Sequence, residues 1–395
     1  MRCTERPEGV EVTFDPKAYL PDDLLDRIRE RAPIHDRENT FPERDLEELR
    51  DAGYLRILVP AERGGAGLGL EQAAVLQQRL ATAAPATALA INMHLVWTGV
   101  AKVFSDRGVP GMEFVQDGAT RGEVFAFGIS EGGNDLVLFG SDTAAVPQGD
   151  GYAFTGTKIF TSLAPVWTRL GLHGLDTTSP DAPKLVFAFI DRTDAVTTSD
   201  DWDTLGMRAT QSRTTRLDGA VAAPEHVVRR IDPGPSPDPI IFGIFSVFEL
   251  LLASVYTGIA RRALDLAVET VQKRTSKKTG LTYSQDPDIR WRIADMSLAY
   301  DALPPQIAAL ARDVDEQADN GARWFTLLSG TKHRAVVMAK HVVDEAILTA
   351  GGGSYFSSNE LSRLYRDVLA GMFHPSDPES AHSTAASALL GPLEN

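Results

Sequence analysis

The sequence predicts an α+β chain of three domains: a helical N-terminal domain over 1–122, a central antiparallel β-barrel-like domain over 123–232, and a C-terminal four-helix bundle over 240–395. Two observations predict it. The apolar period is helical at first, becomes strand-like near Glu123, and returns to helical beyond Ile231. The second change coincides with a proline-rich linker over 231–239, Ile-Asp-Pro-Gly-Pro-Ser-Pro-Asp-Pro. A chain of 395 residues accommodates two or three domains and a substantial core.

In the first zone, Pro21-Asp22-Asp23 opens a run with apolar positions at Leu24, Leu25 and Ile28. A second run starts after Phe41-Pro42, with acidic residues that suit the positive end of a helix. Gly64-Gly65-Ala66-Gly67-Leu68-Gly69 interrupts the pattern, and helices over about 70–82 and 86–104 follow, separated at Pro85. The middle zone shows short strands over 124–129, 152–154, 158–161 and 185–190, divided by turns such as Gln148-Gly149-Asp150-Gly151. Beyond the linker, helices are expected over 242–275, 287–320, 322–350 and 359–369, with Pro304-Pro305 kinking or splitting the second.

Charge and composition narrow the function. The chain has 39 Lys+Arg against 54 Asp+Glu, a net charge of −15, which argues against a nucleic-acid binder. Cys3 is the single cysteine, so neither an intramolecular disulfide nor a thiolate zinc site is available. Residues 1–19 lack a continuous apolar segment, so no secretory signal is expected. The apolar stretch over 240–260 is interrupted by Glu249 and followed by Arg261 and Arg262; it reads as a buried helix, not a membrane span, in a cytoplasmic protein.

Several familiar machineries are missing. No GxGxxG opens a helix, no Walker lysine follows the glycines at 64–69, and neither HExxH nor GxSxG occurs. His333 and His341 lie too far apart on one helix for a metal pair. What remains are polar clusters at turns. Ser130-Glu131-Gly132-Gly133 could bring backbone N–H groups to an anionic or heteroaromatic ligand, or form an ordinary hairpin loop. Lys158 to Ser162 could flank a planar ring, or form a half-exposed strand. Gly351-Gly352-Gly353 after a long helix reads as a C-cap that could also meet phosphate.

Taken together, these segments resemble the acyl-CoA dehydrogenase family of flavoproteins from about Thr40 to Leu390. The resemblance rests on Leu46 to Gly67, Ile129-Ser130-Glu131-Gly132-Gly133, Phe154 to Thr161, Leu205 to Ser212, and Gly351-Gly352 followed by Arg366-Asp367. It implies FAD, with FMN as a second form, bound between the β-domain and the bundle of a dimer or tetramer. Ser130 and the backbone of Ile129 and Glu131 would hold the flavin ring. Phe160 would stand where the family has tryptophan, beside Thr161 and Ser162. Arg274 would reach the pyrophosphate of a neighbouring subunit's cofactor, and Gly351-Gly352 its adenine side.

The same comparison exposes departures. The family's catalytic glutamate position is Pro375; an alternative glutamate position falls on Phe248, beside Glu249. Leu136 and Leu348 replace further polar contacts, while His374 stands where related flavin monooxygenases carry a histidine. The resemblance therefore implies oxidation of an acyl-CoA thioester at the α,β bond, in fatty acid metabolism. Glu249 would be the base, and electrons would pass to an electron-transfer flavoprotein. Alternatives are a two-component monooxygenase fed by a flavin reductase, with His374 at its centre, and a non-catalytic flavin-binding homologue.

Overall fold

The computed structural model describes residues 14–391 and 393, so Cys3 and most of the segment read for a leader lie outside the described residues. The first domain contains α1 (Asp22–Glu38), α2 (Glu43–Asp51), α3 (Leu70–Ala81), α4 (Pro85–Asp106) and α5 (Glu113–Thr120). Asp22 and Asp23 sit in the first turn of α1, and Asn39 ends it in the left-handed region at φ 53°. Pro85 starts α4, where its fixed φ suits the first turn and its missing N–H costs no hydrogen bond. The apolar run of α4 is buried almost throughout, against the bundle on one side and β1 on another.

The middle domain holds β1 (Phe125–Gly128), β2 (Ala144–Gln148), β3 (Gly151–Thr161), β4 (Arg169–Asp176), β5 (Lys184–Asp191), β6 (Val196–Thr198), β7 (Arg213–Ala222) and β8 (Val227–Ile231). Their order is β6-β7-β3-β2-β4-β5-β8, with β1 beside β4. The pairings are antiparallel except β1 with β4 and one contact of β2 with β4. Among the described residues β6 and β8 do not pair, so the barrel-like sheet is open. The two short strands expected over 152–154 and 158–161 are one, β3, bent by register shifts against β7. The polar alternation of Arg213-Thr214-Thr215-Arg216 hid β7, and two glycines diluted the strand signal of β4.

The linker ends where Asp238 accepts the Ile240 N–H and Pro239 opens α6 (Pro239–Lys273). There follow α7 (Pro287–Asp301), α8 (Leu303–Asp315), α9 (Arg323–Ala350), α10 (Glu360–Val368) and α11 (Pro378–Leu390). Pro304-Pro305 do split the expected second helix, at Ala302. Helix α11 was not expected, because among its described side chains only Ala381 is buried and no apolar period marks it. Helix α6 is long and apolar enough to cross a membrane, but 83% of its most apolar window is buried, as befits a core helix against α3, α4 and α9.

Candidate functional site

The three domains meet at one joint. Arg366 on α10 makes a bidentate pair with Asp36 of α1, at 2.8 and 2.5 Å, and its Nη1 also donates to the Leu205 carbonyl. The Met207 N–H donates to Asp367 Oδ1 at 2.6 Å. Gly206 is required there: an added Cβ would lie 2.2 Å from the Arg366 carbonyl oxygen. Thus Leu205-Gly206-Met207 and Arg366-Asp367 dock the β-domain on the bundle. Asp367 Oδ2 is buried without a partner, and burial pushes its carboxyl up to about 6.

On the β-domain side of this joint, β3 bulges between Lys158 and Thr161. Phe160 takes φ +56°, an unusual conformation for a bulky residue, and its ring stays 56% exposed, edge-on to Trp202 at 6.1 Å. Thr161 is buried, and its Oγ1 has no partner among the described residues. Ser162 Oγ lies 2.7 Å from Ser212 Oγ, which continues at 2.7 Å to Thr210. Ile129 is buried after β1, and the Ser130 carbonyl accepts from the Ile159 N–H at 2.9 Å, tying the glycine loop to β3. At Gly132 and Gly133 an added Cβ would meet nothing within 4 Å, so the loop faces open space.

The Glu131 side chain does not face that space. Its Oε1 lies 2.6 Å from Lys158 Nζ, both groups being buried, and further bonds come from Ser141, the Asp142 N–H, Thr143 and Asn134. These donors and the ammonium hold the carboxyl far below its usual range, against the cost of burial. Glu131 therefore anchors the loop from within, leaving its backbone to the front.

On the bundle side, Glu249 is 1% exposed in an unbroken α6, with no bulge to turn it outward. Neither Arg262 nor Arg292 pairs with it; these go to Glu360 and Glu345. Instead Oε1 accepts the Ser376 N–H and hydroxyl, each at 2.9 Å, and Oε2 is buried unpartnered. Burial raises its pKa, and the Lys332 ammonium pulls it back. Phe248 stacks on Phe127 at 5.4 Å. His374 is half-buried, with Nδ1 3.1 Å from the Tyr256 hydroxyl. Burial, then the nearby Lys332 charge, lowers its imidazole to about 3, and burial keeps the Tyr256 phenol well above its usual range. Both groups are neutral, and the contact between Nδ1 and the hydroxyl ties the ring to the phenol.

The remaining predicted residues form a separate group. Arg274 lies about 37 Å along α6 from Glu249, donates through Nη1 to the Ala350 carbonyl at 2.5 Å and stacks over Tyr283. It stands beside Gly351, while Gly352 is exposed. Sequence reasoning missed Lys332, Tyr256 and Ser376. A buried lysine on a helix leaves no mark that separates it from a solvated one. A cavity of about 280 Å³ opens near Lys332, Gly371 and Ser376, but its lining includes neither His374 nor a β-domain residue.

Family models for the N-terminal and C-terminal domains of acyl-CoA dehydrogenase match residues 24–105 and 250–376. The chain is 28% identical to L-evernosamine nitrososynthase of Micromonospora sp., over 89% of this chain and 84% of that one. It is 25% identical to the putative acyl-CoA dehydrogenase YdbM of Bacillus subtilis, over 92% and 94% of the two chains. Among solved structures, KijD3 in complex with FMN and dTDP-3-amino-2,3,6-trideoxy-4-keto-3-methyl-D-glucose superposes with a TM-score of 0.85 at 26% identity, covering 97% of this chain and 95% of that one.

Proposed function

The chain belongs to the acyl-CoA dehydrogenase family, and within that family we propose a flavin-dependent monooxygenase that oxygenates an amino nitrogen of a small molecule. The observation that carries this reading is the neutral Tyr256–His374 pair beside Pro375, with the buried carboxylate of Glu249 bonded to Ser376. The relatives support it: nitroso formation is oxygen insertion at nitrogen, and KijD3 was crystallised with FMN and an amino sugar nucleotide.

The residues fit a flavin. Phe160 offers an exposed aromatic face, Thr161 Oγ1 lacks a partner, and the space before Gly132 and Gly133 is open. FMN suits them better than FAD, because Arg274 already serves the Ala350 carbonyl within its own chain. When bound and reduced by a partner reductase, the flavin supplies the two electrons with which dioxygen yields one inserted oxygen atom and one water. In this chain, Tyr256 orients the imidazole, and the neutral ring of His374 is the hydrogen-bonding group on the bundle side of the cleft.

A dehydrogenase is the second reading, favoured by one observation: Glu249 Oε2 is buried without a partner, and its carboxyl is raised. The test is protein reconstituted with FMN. With NADH, a flavin reductase, oxygen and a panel of amino sugars and amines, oxygenated product is expected, and His374→Ala should lower turnover by about 10²-fold. Anaerobic bleaching of the bound flavin by acyl-CoA would overturn the proposal in favour of the dehydrogenase. Failure to bind either flavin would end both readings.

A further inference from the structure

Lys332 lies on α9, 1% exposed, with all three ammonium protons placed. Its Nζ donates to the carbonyls of Gly371, His374 and Ser376, at 2.9, 2.6 and 2.8 Å. From α6, Glu249 takes the N–H and hydroxyl of the same Ser376. The loop that carries His374 is thus gripped at its carbonyls by a buried cation and at an N–H by a buried anion. No other side chain of the described residues donates to those three carbonyls.

We infer that Lys332 is the positioning residue of the active site: through three carbonyls it fixes the 371–376 loop, and with it the His374 ring against Tyr256, while Glu249 completes the grip. A buried ammonium with three carbonyl partners is costly to place and stabilises little by itself, so its effect lies in specifying one loop conformation. Its charge also acts on the ring it positions, disfavouring a second proton there. The groups facing this cluster are Tyr256 and Glu249 from α6, Lys332 from α9, Asp377 after the loop, and Asp367 from α10 acting on Tyr256. The role of His374 in turnover rests on the reading above; the positioning by Lys332 does not.

The experiment is a histidine NMR titration of the full chain with labelled imidazoles, the His374 signal being assigned by its loss in His374→Ala. In the wild type this signal should stay neutral, in a single tautomer, down to the acid limit of folding. In Lys332→Met its proton affinity should rise at least tenfold and the tautomer should become mixed, while Lys332→Arg should stay closer to the wild type. Because Lys332→Met leaves Glu249 without its cation, the double variant Lys332→Met/Glu249→Gln removes both charges, and the same rise should be seen there. Unchanged His374 titration and tautomer in both methionine variants would overturn the inference. A shifted titration in a protein whose wild type oxygenates nothing would uphold the positioning and reject the monooxygenase.

Discussion

His94 and His173 are held neutral by two partners each. His94 Nδ1 accepts the Phe125 N–H at 3.2 Å, and Nε2 faces the Leu55 carbonyl at 2.7 Å. His173 Nδ1 lies 3.1 Å from the Lys158 ammonium, and Nε2 lies 2.7 Å from the Val137 carbonyl. Burial lowers the first to about 4; burial and then the Lys158 charge lower the second to about 3. A second proton on either ring would point donor at donor. The unfolded chain takes up these protons near the ordinary histidine value of about 6.5 while the folded chain refuses them. Stability should therefore fall as pH drops from about 6.5 towards about 4, by up to about 1.4 kcal/mol per pH unit for each ring. The depressed Glu131 carboxyl acts in the same direction over a lower window: it stabilises above the ordinary carboxylate value and loses that effect as pH falls below it. Denaturant unfolding at pH 7, 6 and 5 reads the slope, and His94→Gln should flatten it; a flat profile in the wild type would contradict the assignment. None of this was legible in the sequence, where eight scattered histidines look alike.

Helix α3 shows how an element can be readable while its stabilisation is not. Its start at Leu70 follows from the glycines before it, but Gly69 has no side chain with which to cap the first turn. The cap comes from α8: Asp315 accepts the Leu70 and Glu71 N–H groups at 2.9 and 3.1 Å. Gly69 must be glycine for this, since a Cβ would lie 2.6 Å from Asp315 Oδ2. Asp315→Ala should destabilise the chain by about 1–2 kcal/mol, and Asp315→Asn, which keeps one acceptor oxygen, by less. Thermal and denaturant unfolding of the two variants would check the order; equal losses would deny the cap. The split between α7 and α8 was readable because proline acts locally, through its own ring and missing N–H.

At the scale of the molecule, the bundle leaves an apolar face uncovered. Trp291 and Leu298 of α7 are 77% and 74% exposed, and Val337 and Leu348 of α9 are 54% and 61% exposed. The Asp295–His341 bond, 2.8 Å long, joins the two helices between these residues, so they share one outer side. This face favours a homo-oligomer, in which a second copy covers the apolar side. Light scattering should give a dimer or tetramer, and Trp291→Glu with Leu298→Glu should release monomers. A wild-type monomer at micromolar concentration would contradict it.

By itself the sequence determined the three-zone order, most helices and the positions of Phe160, Thr161 and Pro375, because period, proline and glycine act through neighbours in the chain. It also showed that the family's carboxylate was missing. What stood in its place was decided by tertiary structure alone. Glu249 was expected to act as base, and packing buries it with one oxygen on Ser376 and the other unpartnered. Glu131 was expected to meet the cofactor through its backbone, and its side chain is taken up by Lys158, Ser141 and Thr143 inside the sheet. Lys332 gave no sign at all. The reason is common to the three: a polar side chain's role depends on whether water or protein satisfies its charge, and that is settled by residues tens to hundreds of positions away.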